Sequence, residues 1–480
     1  MSQRLDRVIR FIAESLEVDD LVAAERVVVR VEIERSGSET QQRVSRSGAI
    51  DITLFRDIAH GGERGAGGRD GEGRGSGETA IVQSGRGWAR ITLSDVVGDY
   101  EKLLARVADQ ALYAVGPAWA LPPPSAPARV DIADPAVSGD LVPIAIELAR
   151  RVERAGSVRG MTLAIERAET IIRTSRGFTH GFPETLVTIE AVVASGHVSG
   201  QAEPGDVERV CLQSRRLDGL DLEGEFTRAG RRLADRRASG VLEPGRYDLV
   251  LARRALVPDN VGYSQVLFVD LDPAVQGVSA GRYGWFEPVV AQADARSARQ
   301  GLTRYRVGQS IFGDRQPSGD PLTIHSDGTL PFGLQSRPVG ELGEPVRRFT
   351  LVEQGIAVGL GFDLREAALR GVGANGGVRN LVIEPGSLSP SDLLTPGSMA
   401  LVEAVEISWL DIDPRTGTFT CELGLAYVHV PGVARRPVHG GVVRGNFFDF
   451  LARSHLSTRT MERVWYHGPE ALRIPEVEFT

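Results

Sequence analysis

The chain has 480 residues, room for two or three domains that can each bury a core. Hydrophobic residues make up 42%, charged residues 25% and aromatics 6%, the usage of an ordinary globular protein. With 63 acidic against 55 basic residues the net charge is -8, so the composition marks neither a nucleic-acid nor an anionic-membrane surface. Cys211 and Cys421 are too few for a disulfide scaffold or a four-cysteine zinc site. Lys102 is the single lysine, and so uniform an arginine bias reads as the codon usage of a GC-rich genome. Met1–Asp20 lacks the apolar run of a signal peptide, and no stretch approaches roughly 18 uninterrupted apolar residues. A cytoplasmic protein without a membrane span is expected.

The predicted elements begin with a helix. Leu5, Val8, Ile9, Ile12 and Leu16 lie on one helical face, with Ser2 as N-cap. Arg26–Glu34 alternates as a half-buried strand, and Ile50–Phe55 and Ala89–Leu93 read as further strands of the same sheet. Between these two lies Gly61–Gly77, with nine glycines in 17 residues. It has no Lys-Ser/Thr and no following helix, so it reads as a flexible insertion and not as a phosphate loop. Asp99–Tyr113 and Asp140–Gly156 are amphipathic helices, separated by the proline-rich connector Leu121–Pro127. Met161–Ile165, Thr170–Arg173 and Thr185–Val193 read as a strand meander, and Glu223–Arg237 as an arginine-studded helix.

Beyond Gly240 the pattern changes to strands. They are predicted at Tyr247–Ala252, Val266–Val269, Phe349–Val352, Val378–Ile383, Ala400–Trp409, Thr418–Leu423, Leu425–Val430 and Gly441–Val443. Helical interruptions fall at Asp363–Leu369 and Asn446–Arg453. The expected fold is α+β. A mixed α/β domain spans residues 1–238, with the insertion 61–77, and a mainly antiparallel, barrel-like β domain spans 239–480.

Most apparent chemical motifs have a simpler structural reading. Gly371-Val372-Gly373-Ala374-Asn375-Gly376 is a G-x-G-x-x-G, but a helix precedes it and a strand follows, the reverse of a dinucleotide site. The eight histidines include no H-E-x-x-H; His429 and His439 could converge across a strand pair, joined by His325. There is no G-x-S-x-G, and both cysteines sit in apolar or strand-like surroundings. Asp411 and Asp413 fall at an x-D-P-x-T-G turn, which explains them more economically than a carboxylate pair does.

Five segments in order carry a resemblance. They are Glu243–Leu251, Ser326–Gly333 leading to Val352–Ile356, Asn380–Ser389, Asp413–Phe419 and Gly445–Leu451, with Arg173–Gly177 a looser match in the first half. Together they resemble the TldD/PmbA family, the modulator of DNA gyrase proteins, and its TldE/PmbA branch in particular. The resemblance implies a division of labour. TldD-type subunits are metalloproteases with an H-E-x-x-x-H helix and a late cysteine ligand, whereas TldE-type subunits lack these ligands and pair with them. Arg253–Val261, where that helix would fall, contains neither His nor Glu, and no cysteine lies in Val464–Pro475.

A non-catalytic subunit is therefore expected, with no catalytic residue, metal ligand or cofactor of its own. Zinc is expected in a TldD-like partner, and the substrate would be a peptide or small amide, with no nucleic acid and no membrane involved. Asp327, Gly328 and Phe332 on one loop, and Asn380, Pro385, Gly386 and Ser387 on the other, are expected to line the chamber or face the partner. A stand-alone hydrolase of a natural-product pathway and a homo-oligomeric binding module are the alternatives.

Overall fold

The computed structural model describes residues 3–58, 85–94, 100–194, 207–257 and 284–480. Ser2, the Gly61–Gly77 tract and the strand predicted at Val266–Val269 lie outside these residues.

The first half is one sheet backed by helices. Helix α1 (Gln3–Ser15) buries Leu5, Val8 and Ile12, the predicted stripe. Strands β1 (Asp20–Ser36), β2 (Glu39–Ile58) and β3 (Gly85–Ser94) follow, then α2 (Tyr100–Gln110), β4 (Val115–Pro117) and α3 (Leu141–Ala155). Strands β5 (Val158–Thr174), β6 (Thr179–Ala194) and β7 (Val207–Ser214) and helix α4 (Leu222–Arg237) complete it. Asp140 caps α3 through Val142 N–H, and Asp221 caps α4 through Gly224 N–H. Among the described residues the strand order is β4-β3-β2-β1-β5-β6-β7, and every pairing is antiparallel.

Alternation gives this sheet two different faces. Leu21, Ala23, Val31 and Ile33 of β1 pack in cores shared with α1 to α4. Val22 and Ala24 belong to the opposite face, where Phe55, Ile172 and Phe182 meet Val339, Leu364 and Ala367 of the second half.

Two predictions are corrected here. Met161–Ile165 and Thr170–Arg173 are one continuous strand, β5, paired with β1 on one side and β6 on the other. The strand crosses Glu166 without breaking because Arg30 Nη1 donates to that carboxylate at 2.6 Å. Strand β7 was not predicted; it is a half-buried edge in which Glu208 and Arg209 interrupt the apolar pattern.

The second half contains β8 (Gly240–Val241), β9 (Gly245–Ala252), α5 (Glu287–Gln292), α6 (Ala295–Arg299), β10 (Ile324–Asp327), β11 (Arg348–Glu353) and β12 (Ile356–Ala357). Next come α7 (Leu364–Arg370), β13 (Asn380–Ile383), α8 (Pro390–Leu393), β14 (Leu401–Ile412), β15 (Thr418–Val430) and β16 (Val433–His439). The chain ends with β17 (Val442–Asn446), α9 (Phe447–Ala452), β18 (His455–Leu456), β19 (Thr460–Arg463), β20 (Tyr466–Pro469) and β21 (Ala471–Phe479).

These strands form two sheets, β12-β11-β10-β13-β20-β19 and β18-β21-β9-β14-β15-β16-β8, with β17 added to β15. Pairing is mostly antiparallel; β9–β14, β13–β20 and β8–β16 are parallel. Both sheets close on one core, where Trp285 meets Phe419 edge-on at 4.8 Å and Phe419 meets Phe450 at 4.9 Å. The predicted pair Thr418–Leu423 and Leu425–Val430 is a single strand, β15, which passes through Gly424 opposite register shifts in β14. The α+β expectation holds.

Candidate functional site

The seven residues predicted to form one surface divide between the two ends of β13. That strand is four residues long, so its ends are about 10 Å apart. At the first end, Asn380 stands opposite Asp327 of β10 and is fully buried. Its Nδ2 donates to Asp327 O at 2.6 Å and Ser336 Oγ at 2.9 Å, and its Oδ1 accepts from Gln335 N–H at 2.9 Å. Every polar atom of the amide is used to shape the loop that follows β10. Asp327 Oδ1 accepts from Thr329 N–H and Oγ1, a local turn. Gly328 must be glycine, because a Cβ there would lie 2.1 Å from Val346 Cγ1. Phe332 adopts a left-handed backbone, donates its N–H to Asp131 O and lies under the Arg216 guanidinium at 4.9 Å. This loop is thereby fastened to the first half of the chain.

At the other end, Gly386 and Ser387 wrap Asp320. Ser387 donates from N–H and Oγ to that carboxylate, Leu456 N–H donates at 2.7 Å, and His455 Nδ1 is 3.6 Å away. A Cβ on Gly386 would meet Asp320 Oδ2 at 2.3 Å. These donors outweigh the desolvation that would raise the Asp320 carboxyl, and its pKa is lowered. Asp248, Arg473 and Pro475 share this open hollow with Asp320, Ser387 and His455.

The loop shaped by Asn380 forms one wall of a cleft between the two halves. The opposite wall is the face of the first sheet that carries Val22, Arg26, Thr53, Thr170, Ile172 and Glu184. The cavity holds about 80 Å³. Glu184 of β6 accepts from Arg26 Nε at 2.9 Å and Arg215 Nη1 at 3.4 Å. Burial alone would raise this carboxyl, but Arg215, Arg26 and Arg337 lower it. Arg215 also donates to the Gly333 carbonyl at 3.1 Å and the Leu334 carbonyl at 3.0 Å, joining the halves. Arg90 of β3 bonds Glu341 at 3.0 Å across the same gap.

None of the seven predicted residues lines this cavity; Asp327, Phe332 and Asn380 hold its wall in place. The cleft residues were missed because Arg26 looks like the solvent side of an alternating strand. The available signal was that Arg26 and Arg30 on β1 recur with acidic partners, Glu184 on β6 and Glu166 on β5, a pattern that ion pairs across a sheet produce.

His325, His429 and His439 do not share a zinc site. His325 bonds Thr350 and Glu384, His429 bonds Glu403 at 2.9 Å, and His439 bonds Ser239 at 2.8 Å. The suggested convergence of His325, His429 and His439 is thus corrected: Val438 pairs with Ala426, which carries His439 away from His429. Among the described residues no three His, Cys, Asp or Glu side chains are placed to share a metal. Burial pushes the Cys421 thiol up to about 12 and raises Cys211 as well, so neither presents a ready thiolate. Gly371 closes α7 in the left-handed conformation, and Asn375 Oδ1 accepts from Phe362 and Gly377 N–H, so the glycine motif is a helix cap and turn. Asp413 accepts from Arg415 N–H and Thr416 Oγ1, the expected turn. Following β9, Arg253–Val257 form turns; Arg253 has a left-handed backbone and its N–H donates to Glu470 O at 2.7 Å.

Residues 285–480 match the family model of the PmbA/TldA metallopeptidase C-terminal domain. The family resemblance read from the five sequence segments holds, and the whole chain shares the fold of solved relatives. It is similar to TldE from Thermococcus kodakarensis, with 16% identity, a TM-score of 0.69 and 99% of each chain covered. It is also similar to two proteins named as DNA gyrase modulators. For the one from Thermotoga maritima the identity is 14% and the TM-score 0.69, with 99% of each chain covered. For the one from Bacteroides thetaiotaomicron the identity is 14% and the TM-score 0.71, covering 99% of this chain and 98% of that one. A search of curated proteins finds no match. Among the described residues no helix is long and apolar enough to cross a membrane.

Proposed function

We propose that the chain is a TldE-like, non-catalytic subunit that pairs with a TldD-like zinc metallopeptidase and acts with it on peptides or small amides. The observation that carries this reading is the segment after β9. Arg253–Val261 has neither the His nor the Glu of an H-E-x-x-x-H helix, in a chain whose C-terminal region matches a metallopeptidase family. Catalytic zinc takes three protein ligands and leaves a position for water. His325, His429 and His439 are spent on Thr350, Glu384, Glu403 and Ser239. Two loops at the ends of β13, Asp327–Gly333 and Pro385–Ser387, are the surfaces offered to chamber and partner.

Metal analysis tests the reading. The purified chain alone should carry no stoichiometric zinc and hydrolyse no peptide, and His429→Ala or His325→Ala should leave that unchanged. Stoichiometric zinc with an activity lost in either variant would establish a stand-alone hydrolase instead.

A further inference from the structure

The cleft between the halves is charged unevenly. Five arginines and three carboxylates line it, and most of these charges are matched. Arg26 and Arg215 answer Glu184, and Arg90 answers Glu341. Arg379 is different. It is 8% exposed and forms part of the cavity wall. Its backbone N–H donates to Ser326 Oγ at 2.8 Å, and its Nε donates to Gly376 O at 2.8 Å, which fixes the side chain from both ends. Of the five donors of a guanidinium, the four on the two terminal nitrogens have no acceptor among the described residues. No carboxylate of the described residues lies within ion-pair distance of it either.

These terminal nitrogens are not sealed from solvent, so water or a small ligand in the cavity can reach them. Glu344 feels the charge of Arg379 but forms no ion pair with it. Its Oε2 accepts from Leu342 N–H at 2.9 Å, and burial raises its pKa despite the charge of Arg379.

We propose that this cleft is an oxyanion site in which Arg379 is the anchoring donor, set in a lining of five arginines against three carboxylates. A guanidinium edge with two free nitrogens matches a carboxylate or phosphate in a bidentate fashion. The size agrees. A water needs roughly 10–15 Å³ by this measure, so about 80 Å³ admits a small anionic group and excludes a whole peptide segment. Two sources share this chemistry: the carboxylate end of a short acylated peptide and free phosphate. The site stands on this chain alone, independent of whether the chain pairs with a peptidase.

Titration calorimetry on the full chain tests it, with inorganic phosphate, N-acetylglycine and the neutral N-acetylglycinamide as probes. Saturable binding of phosphate or N-acetylglycine, weakened by added salt and absent for the amide, is the expected result. Preference for N-acetylglycine identifies a peptide terminus as the source, and preference for phosphate identifies free phosphate. In Arg379→Gln the affinity should fall about tenfold or more. If that variant does not fold, Arg379→Lys, which keeps the charge but not the fork, should still bind measurably more weakly while its far-UV spectrum matches wild type. No saturable binding of either anion, equal binding of the amide, or wild-type affinity in a folded Arg379 variant overturns the proposal.

Discussion

Single side chains decide whether the two loops at the ends of β13 exist. Asn380 is one amide serving three partners, and it is fully buried. Asn380→Ala would leave Gln335 N–H and the Asp327 carbonyl without their side-chain partner. A loss of about 2–4 kcal/mol in chemical unfolding is expected, and Asn380→Asp should lose at least as much because its second oxygen faces the Asp327 carbonyl to which Nδ2 donated. Asp20 plays a similar part at the start of β1. Its carboxylate accepts from Ser175 Oγ at 2.7 Å, from Arg176 and from the fully buried Arg86. This explains the weakly matching segment Arg173–Gly177: it is a staple that holds Asp20 and the Leu21 N–H. Asp20→Ala leaves the buried Arg86 with only the exposed Asp57, at 3.5 Å, as a carboxylate partner and should cost about 3 kcal/mol, measurable as a shift in the urea midpoint.

At the scale of elements, α4 carries a pH-dependent contribution. Burial alone would raise the Glu225 carboxyl, but Arg232 and Arg228 bring it down to about 2. A depressed carboxylate stabilises fully above its unfolded value near 4.5, and that stabilisation is lost as pH falls from 4.5 towards 2. The effect is on the order of 3 kcal/mol. Urea titrations between pH 6 and 3 should show stability falling on the acid side, and Glu225→Gln should flatten that fall.

Helices α1, α3, α4 and α7 were legible because their apolar stripes and caps are local signals. Strand β5 was read as two pieces because a charge inside a strand looks like a break unless its partner, here Arg30, is known. Strands β16 and β19 are mostly exposed or short, so no burial pattern marks them. The loops after β10 and β13 were legible as turns. The cleft was not, because it joins β1, β3 and β6 to residues 334–342, and such distant pairing leaves no trace in a local window.

At the scale of the molecule, the halves are joined by apolar and polar contacts together. Val22, Phe55 and Phe182 pack on Val339 and Leu364, and Arg215 binds the Gly333 and Leu334 carbonyls from across the cleft. Calorimetry should show a single unfolding transition. Arg215→Ala, which leaves Glu184 buried with one fewer partner, should destabilise by about 3 kcal/mol or more and broaden or split that transition.

The proposed function is that this chain pairs with a TldD-like metallopeptidase without supplying a metal ligand. Co-expression with a TldD-like protein bearing H-E-x-x-x-H, followed by light scattering on the purified material, addresses it directly. A stable one-to-one heterodimer is the predicted result. Separate elution of the two chains would contradict the claim.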